Sequence, residues 1–285
     1  MIENYPAWIN GTYCKVKDLS VSVLDLGLIH CDATYEVINA KDNKIFMFDE
    51  HLERLWQSAE YWKLKIPLTK SEIKEIIITL CQRSNENNLL IWIGLTRGIP
   101  SSGNPRDLNS CSSNLFLYVK PYFGFNKKNS ATVCISKIKR IPDFSINQKY
   151  KNFAWNDLTM AQWEAIERNY DSALLLSHEG YITEGPGFNV FFIKGKTIYT
   201  PMNNCLGGIT LVGLERICEE NNYTFLRANI NLQNISTMDY AGIASTAGNL
   251  IPITELEDHS FGDNYTFIEL QHLMERKTNE WITKF

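Results

Sequence analysis

The chain has no apolar run approaching the roughly eighteen residues that a bilayer span needs. Its opening stretch, MIENYPAWINGTYCKV, has no basic segment leading into an apolar one, so no secretory signal is read there. A soluble protein of the cytoplasm is the expectation. Positive charge is not in excess either. The 28 Lys and Arg against 32 Asp and Glu leave a formal net charge of −4, which argues against a nucleic-acid-binding face. Histidine is scarce, with five residues, and none stands at zinc spacing. The seven cysteines (Cys14, Cys31, Cys81, Cys111, Cys134, Cys205 and Cys218) are scattered and form no C-x-x-C pair. Free thiols in a reducing compartment and no metal site are expected. G-x-S-x-G is absent, and so are a Walker loop, a dinucleotide glycine pattern, repeats and low-complexity tracts.

What the chain has is material for a core. Its 285 residues, 44% hydrophobic and 21% charged, suit two modest domains. Residues 20–48 read as strands: VSVLDLG, ATYEVINA and, after the turn Lys41-Asp42-Asn43, KIFMF. Asp49 is placed to cap a helix over DEHLERLWQSAEYWKL, where Leu52, Leu55, Trp56, Ala59 and Trp62 share a face. Thr69 and Glu72 form a capping box for a second helix with Ile73, Ile76, Ile77 and Leu80 on its inner side. Strands follow at LLIWIGLTR and NLFLYVKPY, around a polar loop at 98–113.

FGFNKKNS (123–130) reads as a linker or turn. Beyond it come a strand at TVCISK, a helix through LTMAQWEAIER, strands at SALLLS, NVFFIK and TIYT, and a helix through LVGLERICEEN. Strands at 224–230 and 240–245 and a last helix near 265–282 complete the pattern. Helices and short strands mix without a regular βαβ alternation. The fold class is therefore α+β or mixed α/β, with domains expected at 1–122 and 123–285.

Several stretches could carry chemistry. NCLGGITLVGLERICEE puts Gly207, Gly208 and Thr210 at a helix start, where unpaired N–H groups and the helix dipole suit a phosphate; an ordinary glycine turn with a Thr cap is the other reading. ASTAGNLIP (244–252) offers Ser245 and Thr246 hydroxyls beside Gly248, or simply a Ser/Thr turn. Arg54 sits at the edge of a buried helical face, either snorkelling to water or forking onto a phosphate. QKYKNFAWND holds Lys149 and Lys151 among aromatic residues, as a Schiff-base lysine requires, and spacing does not choose between them. Glu184, in YITEGPGFNVFF, is either a strand-end carboxylate facing water or the partner of a ring nitrogen. In the second case Gly185 and Gly187 clear room for a planar ligand.

Taken in order, FDEHLERLWQSAE, KNFAWNDL, YITEGPGFNVFFIKGKTIYTP, LGGIT and STAGNLIPIT resemble the class IV (fold-type IV) pyridoxal-phosphate aminotransferases over almost the whole chain. That family includes branched-chain and D-amino-acid aminotransferases and aminodeoxychorismate lyase. SVLDLGLIHCDATYEV, the lysine segment with Trp155 four residues on, and STAGNLIPIT look most like its (R)-selective amine transaminases.

The resemblance implies a two-domain enzyme with the cofactor at the domain interface, and a homodimer. It implies that Lys151 forms the Schiff base with pyridoxal 5'-phosphate and shuttles the proton. Glu184 would hold the pyridine nitrogen protonated. Arg54, Thr210 and Thr246, with the N–H groups of Ile209 and Thr210, would bind the phosphate, and Ser245 would join the cofactor site. Tyr35, Trp155, His30, Ala247 and Arg106 would belong to the substrate pocket. The implied activity moves an amino group between an amine or amino acid, R or D configuration included, and a keto acid. A lyase on the same scaffold and a binding protein without the chemistry are the alternatives. Three positions depart from the family pattern. Leu211 stands where an arginine usually follows GGIT, Ala154 replaces a polar residue, and the loop after LTRG lacks an Arg-x-His pair and leaves Arg106 as the candidate for a substrate carboxylate.

Overall fold

The computed structural model describes residues 2–122, 124–125 and 129–284, so residues 123 and 126–128 of the expected linker lie outside the described residues. By contacts the chain divides into two compact units. One is Met1–Tyr122 with Tyr150–Ala154 and Trp281–Phe285; the other is Phe123–Lys149 with Trp155–Glu280.

The first unit is an antiparallel sheet backed by two helices. Its strands are β1 (Pro6–Ile9), β2 (Thr12–Lys15), β3 (Ala33–Lys41), β4 (Lys44–Phe46), β5 (Asn88–Pro100) and β6 (Cys111–Pro121), with a last strand at Ile282–Lys284. Their order is last strand–β4–β3–β5–β6–β1–β2. On β5, Leu89, Ile91, Ile93 and Leu95 alternate inward and meet Leu115, Leu117 and Val119 of β6. Against that face pack helix α2 (Phe48–Tyr61) through Leu52, Leu55 and Ala59, and helix α3 (Lys70–Ser84) through Ile73, Ile77 and Leu80. The Thr69–Glu72 capping box opens α3 as expected. Asp42 and Asn43 both have positive φ, the signature of the tight β3–β4 hairpin.

Three expectations are corrected here. VSVLDLG is not a strand: Val21, Val23 and Leu24 are exposed, and the segment leads into a short helix, α1 (Leu26–Ile29). Asp25 decides this, because its buried carboxylate accepts the N–H of Gly27 at 2.7 Å and the hydroxyl of Thr96 at 2.7 Å. KIFMF ends as a strand at Phe46, since Met47 takes a left-handed conformation and itself precedes α2. Asp49 therefore lies inside the first turn and is not the cap.

The second unit is a nine-stranded mixed sheet with three helices. It comprises β7 (Ala131–Lys139), α4 (Asn156–Glu167), β8 (Ser172–Leu176), β9 (Glu184–Gly185), β10 (Phe188–Lys194), β11 (Thr197–Pro201), α5 (Ile209–Glu220), β12 (Thr224–Ala228), β13 (Tyr240–Ser245), β14 (Asn249–Leu256), β15 (His259–Ser260) and α6 (Tyr265–Thr278). The order is β12–β11–β10–β13–β14–β7–β8, with β9 on β10 and β15 on β14. Strand β10 lies mid-sheet, and Val190, Phe191, Phe192 and Ile193 are all fully buried, so both of its faces are covered. The last helix stops at Thr278, short of the expected 282, where the chain turns into the last strand of the first sheet. Among the described residues, no helix is long and apolar enough to cross a membrane.

Candidate active site

The two candidate lysines fall in different units, Lys151 in the first and Lys149 in the second. Lys149 is exposed, whereas Lys151 is half-buried and its backbone is clamped. The Lys151 N–H donates to Ser58 Oγ at 3.1 Å, and its carbonyl accepts from the Thr34 hydroxyl and the Trp62 indole, each at 2.9 Å. Tyr150 stacks on Tyr61 with ring centroids 4.1 Å apart, which adds to the hold on the same segment. Lys151 Nζ lies 3.8 Å from the centre of the Tyr35 ring, a ring stacked on Trp92 and met edge-on by Phe153.

Arg54 does not snorkel. It is 8% exposed and forks onto Glu36 of β3, through Nε at 3.0 Å and Nη2 at 2.9 Å. His51, one turn earlier on α2, places Nδ1 2.5 Å from the same carboxylate. Burial alone would raise the Glu36 carboxyl, but Arg54, His51 and Lys151 outweigh it and hold it below the usual carboxylate range. Burial pushes the His51 imidazole down, with Arg54 and Lys151 adding to it against the pull of Glu36. A neutral ring facing an acceptor-only carboxylate carries its proton on Nδ1. Neither Glu36 nor His51 was singled out from sequence, although His51 stands three residues before Arg54 on α2 and so shares its helical face.

His30 ends α1 and is exposed. Arg106 is also exposed, in the turn joining β5 and β6, where its N–H donates to Asn104 Oδ1. A different arginine is built into the unit. Arg97 forks onto Asp32 at 2.8 and 2.9 Å and also donates to the carbonyls of Trp62 and Lys63, tying the start of β3 to the end of α2.

In the second unit Glu184 is 5% exposed, which excludes the water-facing reading. Its Oε1 accepts from Arg140 Nε at 3.0 Å and its Oε2 from the Leu206 N–H at 2.9 Å. Arg140 in turn donates to Asp157 and to Gln148, each at 2.5 Å. The bare backbone beside Glu184 has two separate causes. A Cβ on Gly185 would fall 2.1 Å from the Phe188 ring and 2.5 Å from the Ala173 carbonyl, so Gly185 is bare for its own unit's packing. Gly187 has φ +84°, and a Cβ there would stand 3.5 Å from the Trp155 ring, the residue that opens α4.

Gly208 is bare for a similar reason, because Asn189 Oδ1 occupies the place of its Cβ while Asn189 Nδ2 donates to the Leu206 carbonyl. Gly207 differs: open space surrounds the position of its Cβ. The α5 start has no side-chain cap, and Ile209 and Thr210 form its first turn, with Thr210 buried. Ser245 ends β13; its hydroxyl donates to the Gly187 carbonyl at 3.0 Å and accepts the Ala247 N–H at 3.2 Å. Thr246 and Ala247 are half-buried in the turn that follows.

The profile of the family described as Amino-transferase class IV matches residues 33–256. The chain belongs to the class IV aminotransferases. A putative branched-chain-amino-acid aminotransferase of Methanocaldococcus jannaschii is 28% identical over 256 residues, 88% of this chain and 87% of that one. A D-alanine aminotransferase of Staphylococcus epidermidis is 29% identical over 259 residues, 90% of each. Among solved structures, the branched-chain aminotransferase from the thermophilic archaeon Thermoproteus uzoniensis with norvaline superposes with a TM-score of 0.92. That likeness covers 98% of this chain and 99% of that one at 22% identity, and it establishes the mixed α/β, fold-type IV architecture.

This class IV aminotransferase is therefore a pyridoxal-phosphate-dependent transaminase that acts on amino acids and keto acids. The lyase and non-catalytic readings are not favoured, and the similarity to amine transaminases is not shown, since the relatives are named for branched-chain amino acids and D-alanine. The donor sets suit the cofactor. The uncapped α5 start beside the open Gly207 suits an anion, and the Arg140-held carboxylate of Glu184 suits a protonated ring nitrogen. Two of the departures have plain local settings. Leu211 is buried in the first turn of α5, where it serves the core, and the Ala154 N–H donates to Asn152 Oδ1.

Proposed function

We propose that the enzyme transaminates α-amino acids with apolar side chains, and that Lys151 is its catalytic amine. The observation that carries the reading is the clamped backbone of Lys151, which presents Nζ over the Tyr35 ring, a ring itself packed against Trp92 and Phe153. Such walls favour apolar side chains over charged ones. The similarity to branched-chain and D-alanine aminotransferases points to the same class. Bound pyridoxal phosphate supplies the electron sink for the pair left when the substrate Cα–H bond breaks. Lys151 Nζ would tether the cofactor and would hold and move the proton at the substrate Cα. Glu184 would hold the ring nitrogen. Arg54, Ser245, Thr246 and the N–H groups of Ile209 and Thr210 would bind the phosphate, and Tyr35, Trp155 and Ala247 would wall the substrate. His30 and Arg106, both exposed, border the entrance, with Arg106 meeting the carboxylate.

The test mixes the cofactor-loaded enzyme with D- and L-leucine, D- and L-alanine, L-aspartate and (R)- and (S)-arylalkylamines, and follows bleaching of the visible cofactor band. Bleaching by leucine or alanine of one configuration, with aspartate inert, is expected. Bleaching by arylalkylamines alone would defeat the reading.

The homodimer belongs to the same proposal. Val23, Leu24, Leu28 and Ile29 are 74%, 62%, 59% and 50% exposed on one short segment, an apolar surface that a second copy would cover. Sedimentation should give twice the chain mass for the native enzyme and a single chain mass for Leu24→Asp/Leu28→Asp. A native monomer would remove this part.

A further inference from the structure

We propose that Arg140 decides where the proton rests between Glu184 and the cofactor ring nitrogen, by keeping Glu184 the weaker base of the two. The inference rests on the assignment of Glu184 to that nitrogen made above. Arg140 follows β7 directly and is 5% exposed. Its main-chain N–H is bound to the Leu176 carbonyl at 2.9 Å. Every side of its guanidinium is engaged: Nε on Glu184 at 3.0 Å, Nη1 on Asp157 at 2.5 Å and Nη2 on Gln148 at 2.5 Å. Those partners are themselves fixed. Asp157 takes the N–H groups of Ile141 and Leu158, and Gln148 Nε2 donates to the carbonyls of Ile141 and Ile146. The guanidinium therefore has one position.

The other groups facing the cluster do not alter its sign. Asp143 is paired with the Asn204 N–H and the Gln148 N–H, and burial pushes the Cys205 thiol up so that it stays neutral. Burial would lower the Arg140 guanidinium, but Glu184 and Asp157 outweigh it and hold it in its charged form. A carboxylate touching a buried cation loses proton affinity, by roughly one to three pKa units, whereas a buried carboxyl without one gains it. A ring nitrogen and Glu184 sharing one proton can be a pyridinium–carboxylate pair or a pyridine–carboxylic acid pair. Protonating Glu184 would leave the Arg140 cation facing a neutral acid, so the proton stays on the ring. Arg140 is thus a positioning residue, acting through Glu184.

The experiment reads the proton itself. Holoenzyme loaded with ring-15N pyridoxal phosphate is compared by 15N NMR as wild type, Arg140→Gln, Asp157→Asn and Glu184→Gln, with near-ultraviolet circular dichroism as the check on folding. Wild type should show a protonated nitrogen. Arg140→Gln should move the signal toward an unprotonated pyridine, and Asp157→Asn, which loosens the same cluster but keeps the cation, should stay with wild type. Arg140→Met carries the same expectation if the glutamine variant does not fold. A wild-type signal in the Arg140 variant, or an equal displacement in Asp157→Asn, would overturn the inference. An unmoved signal in Glu184→Gln alone would remove the assignment of Glu184 itself, and the inference with it.

Discussion

Lys151→Ala is expected to reduce transamination by about 10⁴-fold or more, the scale of a positioned proton-transfer group, and to abolish the visible band of the tethered cofactor. The size follows from the double duty proposed for one atom, since Nζ would both tether the cofactor and carry the substrate proton. Losing a group with two such duties is not offset by a neighbour. Lys149 is only two residues away, but it is exposed and lies in the other unit by contacts. Lys149→Ala should therefore match wild type in both band and rate. Because Ser58, Thr34 and Trp62 bind the Lys151 main chain and not its amine, the alanine variant keeps those bonds and should fold normally. A variant that retained the band with normal turnover would eliminate Lys151 from the reaction.

The second large effect is on stability. Glu36→Gln should destabilise the cofactor-free protein by about 3–5 kcal/mol, because it takes away the buried carboxylate onto which the Arg54 guanidinium forks. That is a substantial part of the roughly 5–15 kcal/mol holding an ordinary domain together. Urea unfolding at pH 7.5 measures it, and a loss under about 1 kcal/mol would mean that solvent reaches Arg54 more freely than its burial indicates.

The same cluster sets the response to acid. The folded His51 lies below its ordinary value of 6.5, so on acidification the unfolded chain takes this proton first and stability starts to fall near that pH. Glu36 is also lowered, from 4.5, so its share is present above that value and is lost as pH falls through the folded one. Urea midpoints should thus decline in two stages, and Glu36→Gln should lack the second. A midpoint constant from pH 7 to 5 would show that His51 protonates equally in both states.

Much of the fold was legible because its signals are local. The Thr69–Glu72 box, the apolar faces of α2 and α3, the Lys41–Asn43 turn and the run from Val190 to Ile193 each depend on residues within a turn or a strand of one another. The misread first strand has a non-local cause. VSVLDLG alternates like a strand, but Asp25 is drawn to Thr96, which stands 71 residues away in sequence, and that contact outweighs the local preference. Gly185 and Gly208 were noticed for the right bareness with the wrong reason, since the atoms they make room for belong to Phe188 and Asn189.

The ordered segments, through their resemblance to a known family, pointed to the family and the cofactor and implied a short list of site residues. Charge state and partnership were decided only by the tertiary structure. Glu36 meets Arg54 across 18 residues, Arg140 meets Glu184 across 44, and Ser58 meets the Lys151 backbone across 93. Electrostatic energy depends on distance in space and on exclusion of water, neither of which is written in the spacing along a chain.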